Sequence, residues 1–92
     1  MLNEKQTFNL GRMLITPNAM RNLDPGDVLI CLTRHASRDW GEVSATDAAE
    51  NDLSLREGFR LLSAYRDRHG IKIWIITEAD RSATIILLPV DY

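Results

Sequence analysis

The two histidines are the side chains of this sequence that most readily do chemistry. His35 lies four residues before Asp39, a helical spacing at which a carboxylate could orient the imidazole as a general base. The same position also suits a histidine near the end of a helix, and the sequence favours this structural role. His69 precedes Gly70 and is typical of a turn. A metal site needs three or four ligands, so two distant histidines predict none.

The other nucleophiles lack the sequence context that catalysis requires. Cys31 is the single cysteine, which excludes an internal disulfide, and its place on an apolar helix face is typical of inert packing. No serine lies in a nucleophile-elbow pattern, and the glycines do not cluster into a phosphate-binding loop. We therefore predict a protein that is not an enzyme and that uses no cofactor.

One segment, residues 42–55, has a clear charge bias, because it contains acids and no Lys or Arg. Acids near the first turn of a helix interact favourably with its dipole, so a solvated helix start is the default interpretation. The alternative is an acidic docking surface for a basic partner. We predict contacts to a protein partner from these acids, with Trp40 as a nearby aromatic anchor. The acids are Glu42, Asp47, Glu50 and Asp52.

Length and charge limit the class of protein. Ninety-two residues predict a single domain over residues 1–92, with Met1–Thr7 frayed. The net charge of −2 argues against direct binding to nucleic acid. The first residues lack the pattern of a signal peptide, and the longest apolar run, Ile85–Val90, is too short to span a bilayer. We expect a cytoplasmic protein that does not bind membranes.

Capping signals predict the helices that must position these side chains. Thr16 and Asp24 each precede a proline, an arrangement typical of a helix start, and a third start lies at Ser44. In the second helix, Val28, Cys31, Leu32 and His35 share one face, and Gly41 is the predicted stop. The predicted helices cover Asn18–Leu23, the residues from Pro25 toward Gly41, and Asp47–Arg56.

Alternating apolar residues and turn signals predict four strands: Phe8–Ile15, Phe59–Asp67, Ile71–Thr77 and Ala83–Leu88. A two-residue hairpin loop at His69-Gly70 would pair Asp67 with Lys72 and Tyr65 with Trp74. The next turn would pair Thr77 with Thr84. The predicted fold class is α+β, with an N-terminal strand, two or three short helices and a three-stranded antiparallel β-meander.

In this register both faces of the meander are apolar, although a solvated antiparallel sheet normally alternates. One face would carry Tyr65 and Trp74, and the other Ile73 and Ile75. We expect one face to pack on the helix that contains Val28. The other face would be covered by the N-terminal strand and the short helix, or by a second copy in a homodimer or another partner.

Several segments resemble a group of short proteins encoded on plasmids and integrated elements of proteobacteria, usually labelled only as plasmid-related. The segments are Phe8–Thr16, Arg34–Gly41 (RHASRDWG), Asn51, Leu61–Tyr65 (LLSAY) and Trp74–Tyr92 (WIITEADRSATIILLPVDY). The resemblance implies an accessory role on a mobile element and supplies no catalytic residues. Small proteins of such elements are often toxins, antitoxins, regulators, or inhibitors of host restriction and CRISPR systems.

The element order also resembles a toxin superfamily that includes ribosome-dependent ribonucleases and gyrase poisons. The last strand, ATIILLPVDY, lacks the basic and aromatic residues that such ribonucleases place on RNA, and the net charge has the wrong sign. Our leading hypothesis is therefore a non-enzymatic accessory protein of a mobile element that acts by binding a protein partner. Its most concrete form is an inhibitor of a host defence complex, such as a nucleoprotein complex of the restriction or CRISPR type. The alternatives are a toxin-like enzyme and a small transcriptional regulator with Arg34 and Arg38 near DNA.

Overall fold

Three helices and a four-stranded mixed sheet make up the part of the chain that the computed structural model describes, residues 6–92. The predicted frayed segment Met1–Thr7 therefore lies largely outside the described residues, although the Thr7 N–H donates to the Ala36 carbonyl at 2.9 Å. The strands are β1 (Arg12–Ile15), β2 (Leu61–Arg66), β3 (Lys72–Thr77) and β4 (Ala83–Leu87). The helices are α1 (Pro17–Asn22), α2 (Pro25–Ala36) and α3 (Ala45–Glu57), and a 3₁₀ turn covers Pro89–Asp91.

The sheet has the strand order β1-β4-β3-β2. Strands β2, β3 and β4 form the predicted antiparallel meander, so the α+β fold class is confirmed. Strand β1 pairs parallel with β4 and extends the sheet, so it does not cover a face as we had considered. It begins at Arg12 and not at Phe8, because Gly11 has φ +65° and packs closely against the backbone of Ser82.

The predicted helix starts are confirmed by their caps. The Thr16 hydroxyl accepts from the Ala19 N–H, the Asp24 carboxylate accepts from two backbone N–H groups, and Ser44 accepts from Asp47. The predicted stop of α2 at Gly41 is wrong. The helix ends at Ala36, because Arg38 adopts φ +68° and turns the chain away.

The predicted two-residue loop between β2 and β3 is also wrong. The Asp67 N–H donates to the Ile71 carbonyl at 2.9 Å, which continues the pairing beyond Arg66 and Lys72 and leaves a loop of three residues. Gly70, the last of them, is in the left-handed region at φ +81°. The buried Asp67 carboxylate stabilises this loop, since its Oδ1 accepts from the N–H groups of His69 and Ile71. The extra loop residue shifts the register by one, so Tyr65 pairs with Ile73 and not with Trp74.

This shift changes which residues share a face. The face beneath α1 and α2 carries Tyr65, Ile73 and Ile75, which form the core with residues of α2 as we predicted for that helix. The second face carries Trp74, Ile76 and Leu87. This face is covered by the 3₁₀ turn and by Tyr92, whose ring centroid lies 5.6 Å from that of Trp74. The sequence did not predict this cover.

The outer edge of β2 is closed by segments outside the sheet. The Asn51 side chain donates to the Leu62 carbonyl at 2.8 Å and accepts from the Leu62 N–H at 3.1 Å. The Ala64 N–H donates to the Trp40 carbonyl, and the Glu42 N–H donates to the Ala64 carbonyl. These bonds occupy the outward backbone groups of Leu62 and Ala64, which would otherwise be open to another strand.

We predict that Gly41→Ala destabilises the protein by about 3 kcal/mol or more, whereas Gly58→Ala destabilises it by about 1 kcal/mol. Both glycines have a positive φ, so both variants strain the backbone. Only at Gly41 would the added methyl group overlap the Ala64 carbonyl and the Tyr65 ring, while a methyl group added at Gly58 would meet no heavy atom of a neighbouring part of the described chain within 4 Å. Urea unfolding of the two variants measures the difference, and equal losses would contradict the close packing at Gly41.

Candidate functional site

A chain of buried hydrogen bonds surrounds His35. Its Nδ1 lies 2.5 Å from the Ser63 hydroxyl, and its Nε2 lies 2.8 Å from the Thr77 hydroxyl. The Thr77 hydroxyl lies 2.8 Å from that of Thr84, which in turn donates to the Leu10 carbonyl at 2.7 Å. All four side chains are fully buried. The chain therefore links α2, strands β2, β3 and β4, and the segment before β1.

The end of this chain determines the position of every proton in it. The Leu10 carbonyl can only accept, so the single hydroxyl hydrogen of Thr84 is used there. Thr77 must then donate to Thr84, and the Nε2–H of His35 must donate to Thr77. His35 therefore carries a proton on Nε2. Because burial lowers the pKa of His35, the ring is neutral, so its Nδ1 carries no proton and accepts from Ser63.

This arrangement resembles a nucleophile and its base, but it is closed to substrate. Both Ser63 and His35 have no exposed surface. The pairing of His35 with Asp39 that we considered does not occur, since Asp39 binds Arg34 at 2.7 Å and His35 bonds to Ser63 and Thr77. Burial lowers the pKa of His35 to about 3, so the ring stays neutral near pH 7. The His35 site is structural in this conformation.

The other side chains that could do chemistry, Cys31 and His69, are not arranged into a site. Cys31 is buried, and burial raises the pKa of its thiol to about 11, so the reactive thiolate is scarce. His69 is exposed on the hairpin loop. Within residues 6–92, no three His, Cys, Asp or Glu side chains are placed to hold a metal ion.

A furrow between α3 and the second face of the sheet is a candidate binding surface. Its larger part has a volume of about 400 Å³ and reaches from Glu42 to Trp74. Its smaller part, of about 220 Å³, extends past Glu50 toward Arg60. The two parts share Asp47 and Leu62, so they form one continuous depression, which we call the α3–β2 furrow.

The furrow brings together three of the five residues predicted to contact a partner: Glu42, Asp47 and Glu50. Asp52 lies outside it and accepts from the Trp40 indole N–H at 3.1 Å. Trp40 is only 5% exposed, packed near the rings of Phe8 and His35. An aromatic anchor must be accessible, so Trp40 does not serve as one in this conformation.

The aromatic residue of the furrow is instead Trp74, which the sequence reasoning missed. In the predicted register, Trp74 shared a face with Tyr65, but Trp74 lies with Leu62 and Ala64 on the second face. The alternation of Ile73, Trp74 and Ile75 is already part of the prediction, so what misplaced Trp74 is the loop length, which paired it with Tyr65 and not with Ala64.

Half of the charged residues that line the furrow are engaged within the protein. Arg66 binds Glu42 at 2.9 Å, and Arg60 lies 3.8 Å from Glu78 outside the furrow. Asp47, Glu50 and Lys72 make no ion pair with any residue that the structure describes. The unengaged charge is therefore two carboxylates on the α3 wall against one ammonium on β3.

Comparison with known proteins provides no further assignment. No family model matches the chain, no curated protein matches it, and no solved structure matches its fold. Among the described helices, none combines the length and the apolar character that crossing a membrane requires.

We predict that acid destabilises the protein through His35. The folded pKa lies below the value of 6.5 for a free histidine, so the unfolded chain binds the proton first. The stability contributed by neutral His35 is complete above about pH 7. It falls as the pH drops below 6.5, by up to about 1.4 kcal/mol per pH unit. From pH 7 to pH 5 the loss should reach about 2 kcal/mol.

Urea unfolding between pH 5 and pH 7 measures this loss. The pH range excludes most carboxylate titration, and His69→Gln is the matched control, because it makes the same substitution as His35→Gln at the exposed histidine of the hairpin loop. His35→Gln should be less stable at pH 7 and nearly independent of pH. A wild-type protein as stable at pH 5 as at pH 7 would contradict a buried neutral His35.

Proposed function

We propose that this chain is a non-enzymatic binding protein that acts by contact with another protein. Its α3–β2 furrow receives a segment with a cationic side chain from that partner. The observation that carries the proposal is the pair of unengaged carboxylates, Asp47 and Glu50, along one wall of a furrow lined by Trp74. A half-buried aromatic ring that shares the furrow with unengaged carboxylates suits an incoming arginine.

The chemistry of arginine fits both features of the furrow. Its planar guanidinium stacks on an indole ring and donates two parallel hydrogen bonds to a carboxylate. Stacking contributes about 0.5–2 kcal/mol, and an exposed ion pair contributes about 1 kcal/mol or less. One arginine therefore gives weak binding, and the apolar surface of Leu62 and Ala64 must add to it.

The most concrete form of this proposal is an inhibitor of a host defence complex of the restriction or CRISPR type. Proteins of this kind bind nucleic acid through Arg and Lys side chains that face phosphates. A surface that offers carboxylates can compete for the same side chains. The sequence resemblance to proteins of mobile elements supports this setting, and the acidic wall of the furrow supports the mode of contact.

The position of the remaining chemical groups also supports a binding role. Ser63 and His35 form the pair closest to a catalytic one, and both are fully buried. Arg34 and Arg38, which we considered as contacts to DNA in a regulator, each lie beside a carboxylate, Asp39 and Asp52. These pairings reduce the positive charge that a DNA contact requires.

We predict that the double variant Asp47→Lys/Glu50→Lys binds arginine-containing peptides at least tenfold more weakly than the wild type. A library of nonapeptides with a central arginine serves as the probe, and calorimetry at 50 mM and 300 mM salt measures affinity. Wild-type binding should weaken as salt rises, because the contact is electrostatic. Replacement of the central arginine by citrulline, which keeps the shape but not the charge, should abolish binding.

Glu57→Lys is the matched control, since Glu57 is an exposed acid of α3 outside the furrow. It changes the net charge in the same direction and should leave the affinity within about twofold. Peptide binding should also change the tryptophan fluorescence of the wild type through Trp74, because Trp40 is buried and should contribute a constant signal. Trp74→Phe should remove this change. Equal losses in the Glu57 variant and the furrow variant would show that only net charge matters, and the furrow proposal would fail.

A further inference from the structure

The two edges of the sheet end in different ways. At the β2 edge, four hydrogen bonds from Asn51 and the 40–42 segment occupy the outward backbone groups of Leu62 and Ala64. At the β1 edge, nothing in residues 6–92 plays this role. An open strand edge is a template for another strand, and proteins usually cover or charge such an edge.

The hydrogen bonds between β1 and β4 show which backbone groups are open. The Arg12 N–H donates to the Ser82 carbonyl at 2.9 Å, and the Thr16 N–H donates to the Ile86 carbonyl at 3.0 Å. Because backbone groups alternate in direction along a strand, Leu14 also faces β4, and Met13 and Ile15 face outward. The outward groups are thus two N–H donors and two carbonyl acceptors, spaced two residues apart.

The side chains around this edge are apolar and accessible. Met13 is 41% exposed, Leu14 is 37% exposed, and Met20 of α1 is 66% exposed. Met20 and Ile15 also line a shallow apolar depression of about 150 Å³. The edge therefore offers open backbone groups with apolar side chains on both faces of the sheet.

We propose that β1 pairs antiparallel with β1 of a second copy of this chain, around a two-fold axis at Leu14. In this register Met13 faces Ile15 of the other copy, and the two equivalent pairs form four hydrogen bonds. Leu14 faces its own counterpart in a non-hydrogen-bonded pair, where side chains approach closely. The two four-stranded sheets become one continuous sheet.

The residues around Leu14 favour this register over its neighbours. A pair centred on Ile15 would place Met13 opposite Pro17, which has no N–H to donate. A pair centred on Met13 would place the charged Arg12 opposite Leu14 and would use Gly11, whose φ of +65° is not that of a strand. The register at Leu14 places Arg12 opposite Thr16, so no like charges face each other.

The small contact between the two β1 strands limits the affinity that we expect for the dimer. A standard interface covers about 800 Å² on each partner. A four-residue strand pair with Met13 and Met20 covers less, so we expect a dissociation constant in the micromolar range and not the nanomolar range. The interface lies at the sheet edge opposite the α3–β2 furrow, so it is independent of the proposed function and leaves both furrows open.

Sedimentation equilibrium of the full chain from 1 to 500 µM tests the proposal. We expect a shift from monomer to dimer over this range, together with slower hydrogen exchange of the Met13 and Ile15 amides as concentration rises. Leu14→Lys should weaken association at least tenfold, because it places two positive charges at the axis. Its side chain is partly exposed, so the monomer should keep its thermal midpoint within a few degrees.

Two further variants separate the edge from other apolar surfaces. Met13→Pro removes an outward N–H that makes no bond in the monomer, so it should abolish the dimer without a charge change. Ile30→Lys alters an exposed apolar residue of α2, away from the edge, and should leave association unchanged. A monomer throughout the concentration range would overturn the proposal. A dimer lost with Ile30→Lys but kept with Leu14→Lys would equally overturn it.

Discussion

The buried hydrogen-bond chain through His35 is the constraint on which the rest of the structure depends. Four polar side chains lie in the core, and each would be costly to bury without a partner. The chain satisfies them only if α2, three strands and the segment at Leu10 take their observed positions together. A fully satisfied polar network of this kind specifies one arrangement of α2 on the sheet.

The position of α2 in turn determines how the edge of β2 is closed. Because α2 ends at Ala36 and the chain reverses at Arg38, residues 40–42 run alongside β2 and bond to Ala64. Gly41 is the residue that permits this close approach. α3 then follows directly and brings Asn51 to the same edge. The furrow lies between α3, which Asn51 holds at this edge, and the second face of the sheet.

The two edges of the sheet therefore differ in how far their backbone groups are bonded, and the two faces differ in how they are covered. One sheet edge is closed by side-chain and backbone hydrogen bonds, while the other offers open groups on a short apolar strand. One face is packed beneath two helices, while the other is covered by Tyr92 and the 3₁₀ turn and leaves Trp74 half-exposed. The open edge and the furrow lie at opposite ends of the sheet, so the two contacts that we propose do not compete.

The sequence by itself determined the three helix starts, the meander and the turn between β3 and β4, because caps and alternation act over a few neighbouring residues. It also indicated the acids of the furrow through their charge bias. Only the tertiary structure decided the register at Asp67, and with it that Tyr65 and Trp74 lie on opposite faces of the sheet. A change of one residue in loop length moves every side chain of one strand to the other face relative to its partner strand. The burial of Trp40 and the proton positions around His35 likewise depend on residues far apart in the chain, and no local pattern contains that information.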